Sequence, residues 1–349
     1  MRRVFVGPLG HPMLCPSLSE LPPAPPGKTG WPWTNSSAEA GAPSTEQGEL
    51  SANVSHLTSH VSLPHSPRIS IVMPCLNAGR YIEEALRSVL LQSYPSLELF
   101  VYDGGSTDGT IEVIKRYEQW VTYWESAKDR GQSHAINKGL ARATGALFNW
   151  ANADDIMCPN AFHTLVALYS RQMNCVGVFG AMEVFDEGGY RKTWQPNPGS
   201  KEEIGEWGLS AFLPQPSALF PCQLCKDIGG MNEALHYVMD IELILRLADH
   251  GSFAVTNTPT YRYRHHSEAK TVKGEIAGMV ELIASEFNLG MTKVAERWLK
   301  WRMEGFAKVT LGELTPVEVA KMMDGWGYGK LARYLAGRLW KNIRLRILR

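Results

Sequence analysis

The sequence has no apolar run approaching the ~20 residues needed to cross a bilayer. Its opening, Met1-Arg2-Arg3-Val4-Phe5-Val6-Gly7-Pro8, has almost none of the apolar stretch of a secretory signal. Net charge is also missing: 35 Lys and Arg balance 35 Asp and Glu in 349 residues, so no global electrostatic attraction to nucleic acid is expected. Cysteine is sparse, with Cys15, Cys75, Cys158, Cys175, Cys222 and Cys225 scattered along the chain. That spread suits reduced thiols better than a disulfide framework. Cys222 and Cys225 form a CxxC with no second pair and no HxxxH, so two small residues on one face of a short helix is the plainer reading. Neither GxxxxGK[ST] nor GxGxxG comes after the first strand, so no glycine loop cradles phosphates. These absences point to a cytoplasmic protein, and a composition of 44% hydrophobic and 20% charged residues leaves enough apolar material for a core.

The chain divides by texture. Residues 1 to 67 are rich in Pro, Ser, Gly and Thr and keep neither a helical nor a strand period, so they are expected to be disordered. They could equally be an extension upstream of the true start. At Arg68 the pattern changes. Ile69 to Met73 reads as a buried parallel strand, and Ile82, Ala85, Leu86, Val89 and Leu90 recur at helical spacing. Further strands are expected at 97–102, 121–124 and 147–150, with helices between them. Strands alternating with helices predict βαβ units and a largely parallel sheet. From 156 to 270 the order loosens, and one amphipathic helix stands out at Asp240 to His250. After Thr271 the chain reads as helical.

Ligands of open parallel sheets bind beyond the carboxyl ends of the strands. Three polar clusters fall there: Pro74-Cys75-Leu76-Asn77, Asp103-Gly104-Gly105-Ser106 and Asn152-Ala153-Asp154-Asp155. Carboxylates in such a place suit a divalent cation held by oxygen ligands, and a cation suits a nucleotide leaving group whose diphosphate gains charge. Asp155 is the first choice for the metal, Asp154 for the metal or the ribose, and Asp103 for the nucleobase or ribose.

Several blocks in one order carry a resemblance. Ile69-Ser70-Ile71-Val72-Met73-Pro74 and Val101-Tyr102-Asp103-Gly104-Gly105-Ser106-Thr107-Asp108-Gly109-Thr110 resemble the opening of the family 2 glycosyltransferases of GT-A fold. Asp129 to Gly139 and Trp150-Ala151-Asn152-Ala153-Asp154-Asp155 resemble the family's next two blocks. Gln215-Pro216-Ser217, Ile228 to Glu233, Met239-Asp240-Ile241-Glu242-Leu243 and Tyr263-Arg264-His265-His266 resemble its acceptor half and closing block. The resemblance implies an α/β GT-A fold with a Rossmann-like, mostly parallel sheet over residues 68–272, and a helical C-terminal region over 273–349. It implies Asp240 as the base that deprotonates the acceptor, and Pro74, Asn77, Asp103, Asn137 and Asp154 at the donor. Asp155 and His266 would be on a divalent cation, Mg²⁺ or Mn²⁺. Two departures stand out: Asn152 replaces the first Asp of the metal motif, and Ala269 stands where a Ser often precedes the Lys.

The function expected is therefore metal-dependent, inverting transfer of a hexose-type sugar from a nucleotide-sugar to a glycan or lipid-linked acceptor, in cell-envelope polysaccharide synthesis. A catalytically inactive nucleotide-sugar-binding or scaffold protein is the alternative that Asn152 raises. A nucleotidyltransferase ranks last, because no basic Gly-rich loop succeeds strand one. Residues 330–349 contain seven basic and no acidic residues, with Leu331, Leu335, Leu339, Ile343 and Ile347 forming one stripe. Such a helix either packs on the domain or lies on an anionic membrane at the inner face of the plasma membrane.

Overall fold

A computed structural model describes residues 3–6, 15–34, 66–206, 211–270, 275–295 and 297. The strands are β1 (Arg3–Val6), β2 (Ile69–Cys75), β3 (Leu97–Asp103), β4 (Tyr123–Ser126), β5 (Leu147–Trp150), β6 (Ile156–Met157), β7 (Cys175–Phe185), β8 (Arg191–Trp194), β9 (Ala218–Pro221) and β10 (Ser252–Arg264). They form one mixed sheet in the order β1-β4-β3-β2-β5-β9-β7-β10-β6, with β8 attached to β7. The centre is parallel, β4 with β3, β3 with β2 and β2 with β5, as the alternating pattern predicts. Every residue of β2 and β3 is buried, which is why both read as unbroken apolar runs.

Helices cover both faces. Against one lie α1 (Ile82–Leu90), α2 (Thr110–Tyr117) and α4 (Ala161–Tyr169). Against the other lie α3 (Gln132–Arg142), α5 (Lys201–Gly205), α6 (Cys222–Asp227), α7 (Met239–Leu247) and α8 (Glu275–Asn288). The approach of α3 to β2 requires glycine: a Cβ on Gly139 would stand 2.2 Å from Val72 Cγ2. Cys222 and Cys225 are both buried on α6, as two small core residues.

Three expectations change. The region 156–270 is not loosely ordered, since it holds the long parallel pair β7 and β10. The stretch 1–67 is not wholly without structure. Residues 3–6 pair with β4, and 15–34 dock with Leu21 and Trp33 only 5% exposed. Two apolar anchors among prolines are enough to hold a strap that has no period of its own. The boundary at 272 does not separate the core from the C-terminal residues. Leu282, Ile283, Ala284, Met291, Val294 and Ala295 all join the core cluster around α7. The Glu281 carboxylate, fully buried, accepts backbone N–H bonds from His236, Tyr237 (2.7 Å) and Val238 just ahead of α7. The basic tail 330–349 and the rest of the N-terminal stretch lie outside the described residues.

Glu286, also on α8, is fully buried, and neither carboxylate oxygen has a hydrogen-bond partner among the described residues. Burial, reinforced by Glu206, raises its pKa from the ordinary 4.5 to about 9. A folded pKa above the unfolded one contributes stability that is complete below about 4.5. It is lost as pH rises toward 9, at about 1.4 kcal/mol per pH unit. The Glu286→Gln variant should therefore lose less Tm than the wild type between pH 5 and pH 8. Parallel Tm curves would show that the carboxyl does not titrate in this way.

Candidate active site

A cavity of about 1390 Å³ opens at the carboxyl ends of the parallel strands, where the topology predicts one. Pro74, Asn77, Asp154, Asp240 and His266 line it, so residues separated by almost two hundred positions meet in one place. Asp103, Asn137 and Asp155 do not line it.

Asp103 sits behind the wall, 2% exposed, with its oxygens already taken. Oδ2 accepts from Ser126 Oγ at 2.6 Å and from the backbone N–H of Gly105 and Ser106, while Ser106 Oγ donates to Oδ1. It shapes the turn after β3. Asn77 completes the same edge: its left-handed backbone (φ 50°) lets its side chain accept from Thr107 N at 3.0 Å. Asn137 is a staple. Its amide donates to Met231 O at 2.9 Å and accepts from Met231 N at 2.8 Å, binding α3 to the loop after α6.

Of the two adjacent carboxylates, Asp155, expected on the metal, is buried in the framework, and Asp154 is the one at the cavity. Asp155 is 2% exposed; Oδ1 accepts from Arg264 N at 2.7 Å and Oδ2 from Asn152 Nδ2 at 3.0 Å. Burial, then the neighbouring Asp154 charge, holds its pKa well above the usual carboxylate range. Asp154 instead faces the cavity, with His266 Nε2 at 3.1 Å from its Oδ2. The correction comes from the alternation of side chains: one of two consecutive carboxylates turns in and the other out, and Arg264 takes the inner one.

Asn152 connects rather than ligates. Its Oδ1 accepts from Gln132 Nε2 at 3.0 Å while its Nδ2 donates to Asp155. The amide therefore suits both neighbours, one as an acceptor and the other as a donor. Gln132 Oε1 in turn accepts from Lys270 Nζ at 2.9 Å.

Asp240 opens α7, half-buried, with Oδ1 accepting from Ile241 N at 2.9 Å. Burial raises its pKa, partly opposed by Lys270. Asp129, Gln132, Lys270 and the ring of Trp194 also line the cavity and were missed as individual site residues. The block from Asp129 to Gln132 carried a signal for the first two; Trp194 had none, since β8 is exposed throughout.

A divalent cation would find two protein donors here. Asp154 Oδ2 and His266 Nε2 converge, and His266 Nδ1 is buried without a hydrogen-bond partner among the described residues. No set of three His, Cys, Asp or Glu converges among the described residues. The site fits a cation that takes two protein donors and draws its remaining oxygens from a ligand.

A sequence profile described as Glycosyl transferase family 2 matches residues 70–229. An uncharacterized glycosyltransferase of Rickettsia felis is 29% identical over 217 residues, covering 60% of this chain and 36% of its own length. Chondroitin synthase of Escherichia coli is 24% identical over 218 residues, covering 61% of this chain and 31% of its own. The chain thus spans about a third of the length of these two relatives. Among solved structures, the S. aureus TarS 1–349 fragment in complex with UDP-GlcNAc superposes with a TM-score of 0.56 at 16% identity, covering 74% of this chain and 80% of that one. The mixed sheet is accordingly that of the GT-A fold.

The two carboxylates separate by experiment. Asp155→Ala leaves Asn152 Nδ2 and Arg264 N without their acceptor and should cost about 1–3 kcal/mol of stability. Asp154→Ala, at the cavity surface, should leave Tm within a degree or two. Equal Tm losses by thermal unfolding would contradict the assignment of Asp155 to the framework.

Proposed function

We propose that this chain, whose residues 70–229 match the glycosyl transferase family 2 profile, moves a sugar from a nucleoside-diphosphate sugar to an acceptor hydroxyl. The observation that carries the reading is one cavity lined by Asp154 and His266, 3.1 Å apart, together with Asp240, whose carboxyl burial has made more basic. In a single displacement the acceptor oxygen attacks the anomeric carbon as that carbon's bond to the diphosphate breaks. The acceptor proton passes to Asp240, and the configuration inverts. Asp154 and His266 would hold a divalent cation, Mg²⁺ or Mn²⁺, which would neutralise charge on the departing diphosphate. Lys270, held by Gln132, adds a second cationic group on the same cavity wall.

Hexosyl donors fit the reading, and a UDP-sugar is the first to test because the TarS fragment was crystallised with UDP-GlcNAc. The acceptor half is aromatic. Tyr190 and Trp194 are 52% and 40% exposed on the cavity lining, and the Trp194 ring lies 5.6 Å from that of Phe212. Such faces suit the apolar sides of sugar rings, which supports a glycan acceptor in polysaccharide synthesis. Among the described residues no helix is long and apolar enough to cross a membrane. The seven basic residues from Lys330 onward support peripheral contact with an anionic membrane and a lipid-linked acceptor. The inactive-scaffold alternative loses its motive, because Asn152 serves Gln132 and Asp155 as an amide.

A thermal-shift screen of UDP, GDP and dTDP with and without Mn²⁺ or Mg²⁺ tests the reading. One nucleotide should raise Tm, and more so with the cation; no shift from any combination would overturn it. Asp240→Asn should leave nucleotide binding intact and lower kcat about 10²–10⁴-fold. Because a base acts only when deprotonated and burial raises this one, the acidic limb of kcat should lie above the ordinary carboxyl value of 3.8. A near wild-type kcat in Asp240→Asn would reduce Asp240 to a helix-terminal residue.

A further inference from the structure

The strap of residues 15–34 lies outside the matched residues, yet its two tryptophans connect to the loop that carries Asp154, Trp31 directly and Trp33 through α1 and Arg264. Trp31 Nε1 donates to Met157 O at 2.8 Å, two residues beyond Asp155. Trp33 Nε1 donates to Glu84 Oε1 at 3.3 Å on α1. The other oxygen of Glu84 accepts from Arg264 at 2.7 Å, and Arg264 Nε donates to Asp154 O at 2.9 Å. Trp33, Glu84, Arg264 and Asp154 therefore form one unbroken hydrogen-bonded path from the strap to the cavity.

The strap is built in rather than lying loosely on the surface. Arg87 of α1 is 1% exposed and donates to Pro22 O at 2.7 Å and Pro32 O at 3.2 Å, with the Trp33 ring 4.9 Å from its guanidinium. A buried guanidinium needs those acceptors, so α1 and the strap depend on each other. The Cys15 thiol at the strap's start is pushed up to about 11 by burial. Other groups also hold the loop, with Ser88 Oγ accepting from Met157 N at 3.0 Å and Gln92 donating to Cys158 O. Those bonds come from α1 and the turn after it, and they end at 157–158. Of the links from α1 and the strap, the one through Arg264 reaches Asp154 itself.

We infer that the N-terminal strap is a positioning element of the active site, in which Trp31 and Trp33 fix the Asp154 loop through Met157 and through the Glu84–Arg264 pair. The inference rests on the proposed role of Asp154 at the donor, and its test has one arm that does not. Trp33 and Glu84 act through Arg264 and are positioning residues.

The variants are Trp33→Phe, which keeps most of the buried ring and removes the donor, and Glu84→Gln, which keeps the shape but removes the charge and leaves one acceptor oxygen for the two donors Trp33 and Arg264. Leu21→Ala is the control, loosening the strap's packing without touching the path. Made in the full chain, Trp33→Phe and Glu84→Gln should speed backbone hydrogen exchange over residues 151–157 at least tenfold and leave β3 unchanged. With the UDP-sugar as donor, donor KM should rise several-fold while acceptor KM stays put. Leu21→Ala should lower Tm with both of those readouts unmoved. Unchanged exchange over 151–157 in both path variants overturns the inference, as does faster exchange there in Leu21→Ala to the same degree. If Trp33→Phe does not fold, Trp31→Phe, which removes the strap's donor to Met157 O, takes its place. Faster exchange over 151–157 in a protein that binds no nucleotide would sustain the strap's role and sink the glycosyltransferase reading instead.

Discussion

One guanidinium holds the site to the fold. Arg264, 8% exposed at the end of β10, stacks over the rings of Tyr81 at 4.8 Å and Phe185 at 4.6 Å. It pairs with Glu84 on α1 and bonds the carbonyl of Asp154, while its own backbone N–H satisfies Asp155. A charge placed there is tolerable because hydrogen-bond acceptors and aromatic rings surround it. The consequence is that three segments distant in sequence cannot shift independently. The first helix, the turn after β5 and the end of β10 move as a unit, and Asp154 moves with them.

This dependence also explains an unusual residue. Asn152 in place of an acid invites the idea of lost activity when read as a ligand. Read as a neighbour of a buried carboxylate, it is the side chain that can give a hydrogen bond to Asp155 and accept one from Gln132. With Arg264 fixing Asp155 inward, the amide is a compatible partner, and Asp154 and His266 are the pair left facing the cavity.

The parallel centre of the sheet was legible because strands buried on both faces leave unbroken apolar runs, and its helices leave a 3.6-residue period. That Pro74, Asn77, Asp154, Asp240 and His266 would meet in one place was legible because their blocks succeed one another in a familiar order. The long strands β7 and β10 were not. Their paired residues lie nearly eighty positions apart, and β10 contains Asn257 and Pro259 with register shifts beside them, which read as turn signals. The order of Asp154 and Asp155 was also hidden, since consecutive carboxylates look alike until a distant backbone N–H selects one. The strap was hidden for a related reason. Its order comes from Leu21 and two tryptophans meeting partners elsewhere, and composition alone weighs its prolines and glycines more heavily.

The bonds from His236, Tyr237 and Val238 to Glu281 set an order of events when the protein is made. A chain emerging from the ribosome at ~5–20 residues per second releases its N-terminal units first, and those fold as they appear. The central parallel strands β2 to β5 and the turns after them are complete well before Glu281 leaves the exit tunnel. The loop ahead of α7, which presents Asp240, still lacks the carboxylate that caps its three N–H groups and the Leu282 and Ile283 side chains behind it. The nascent protein thus pairs its central parallel strands first, and the loop that presents Asp240 is capped only once synthesis has passed α8.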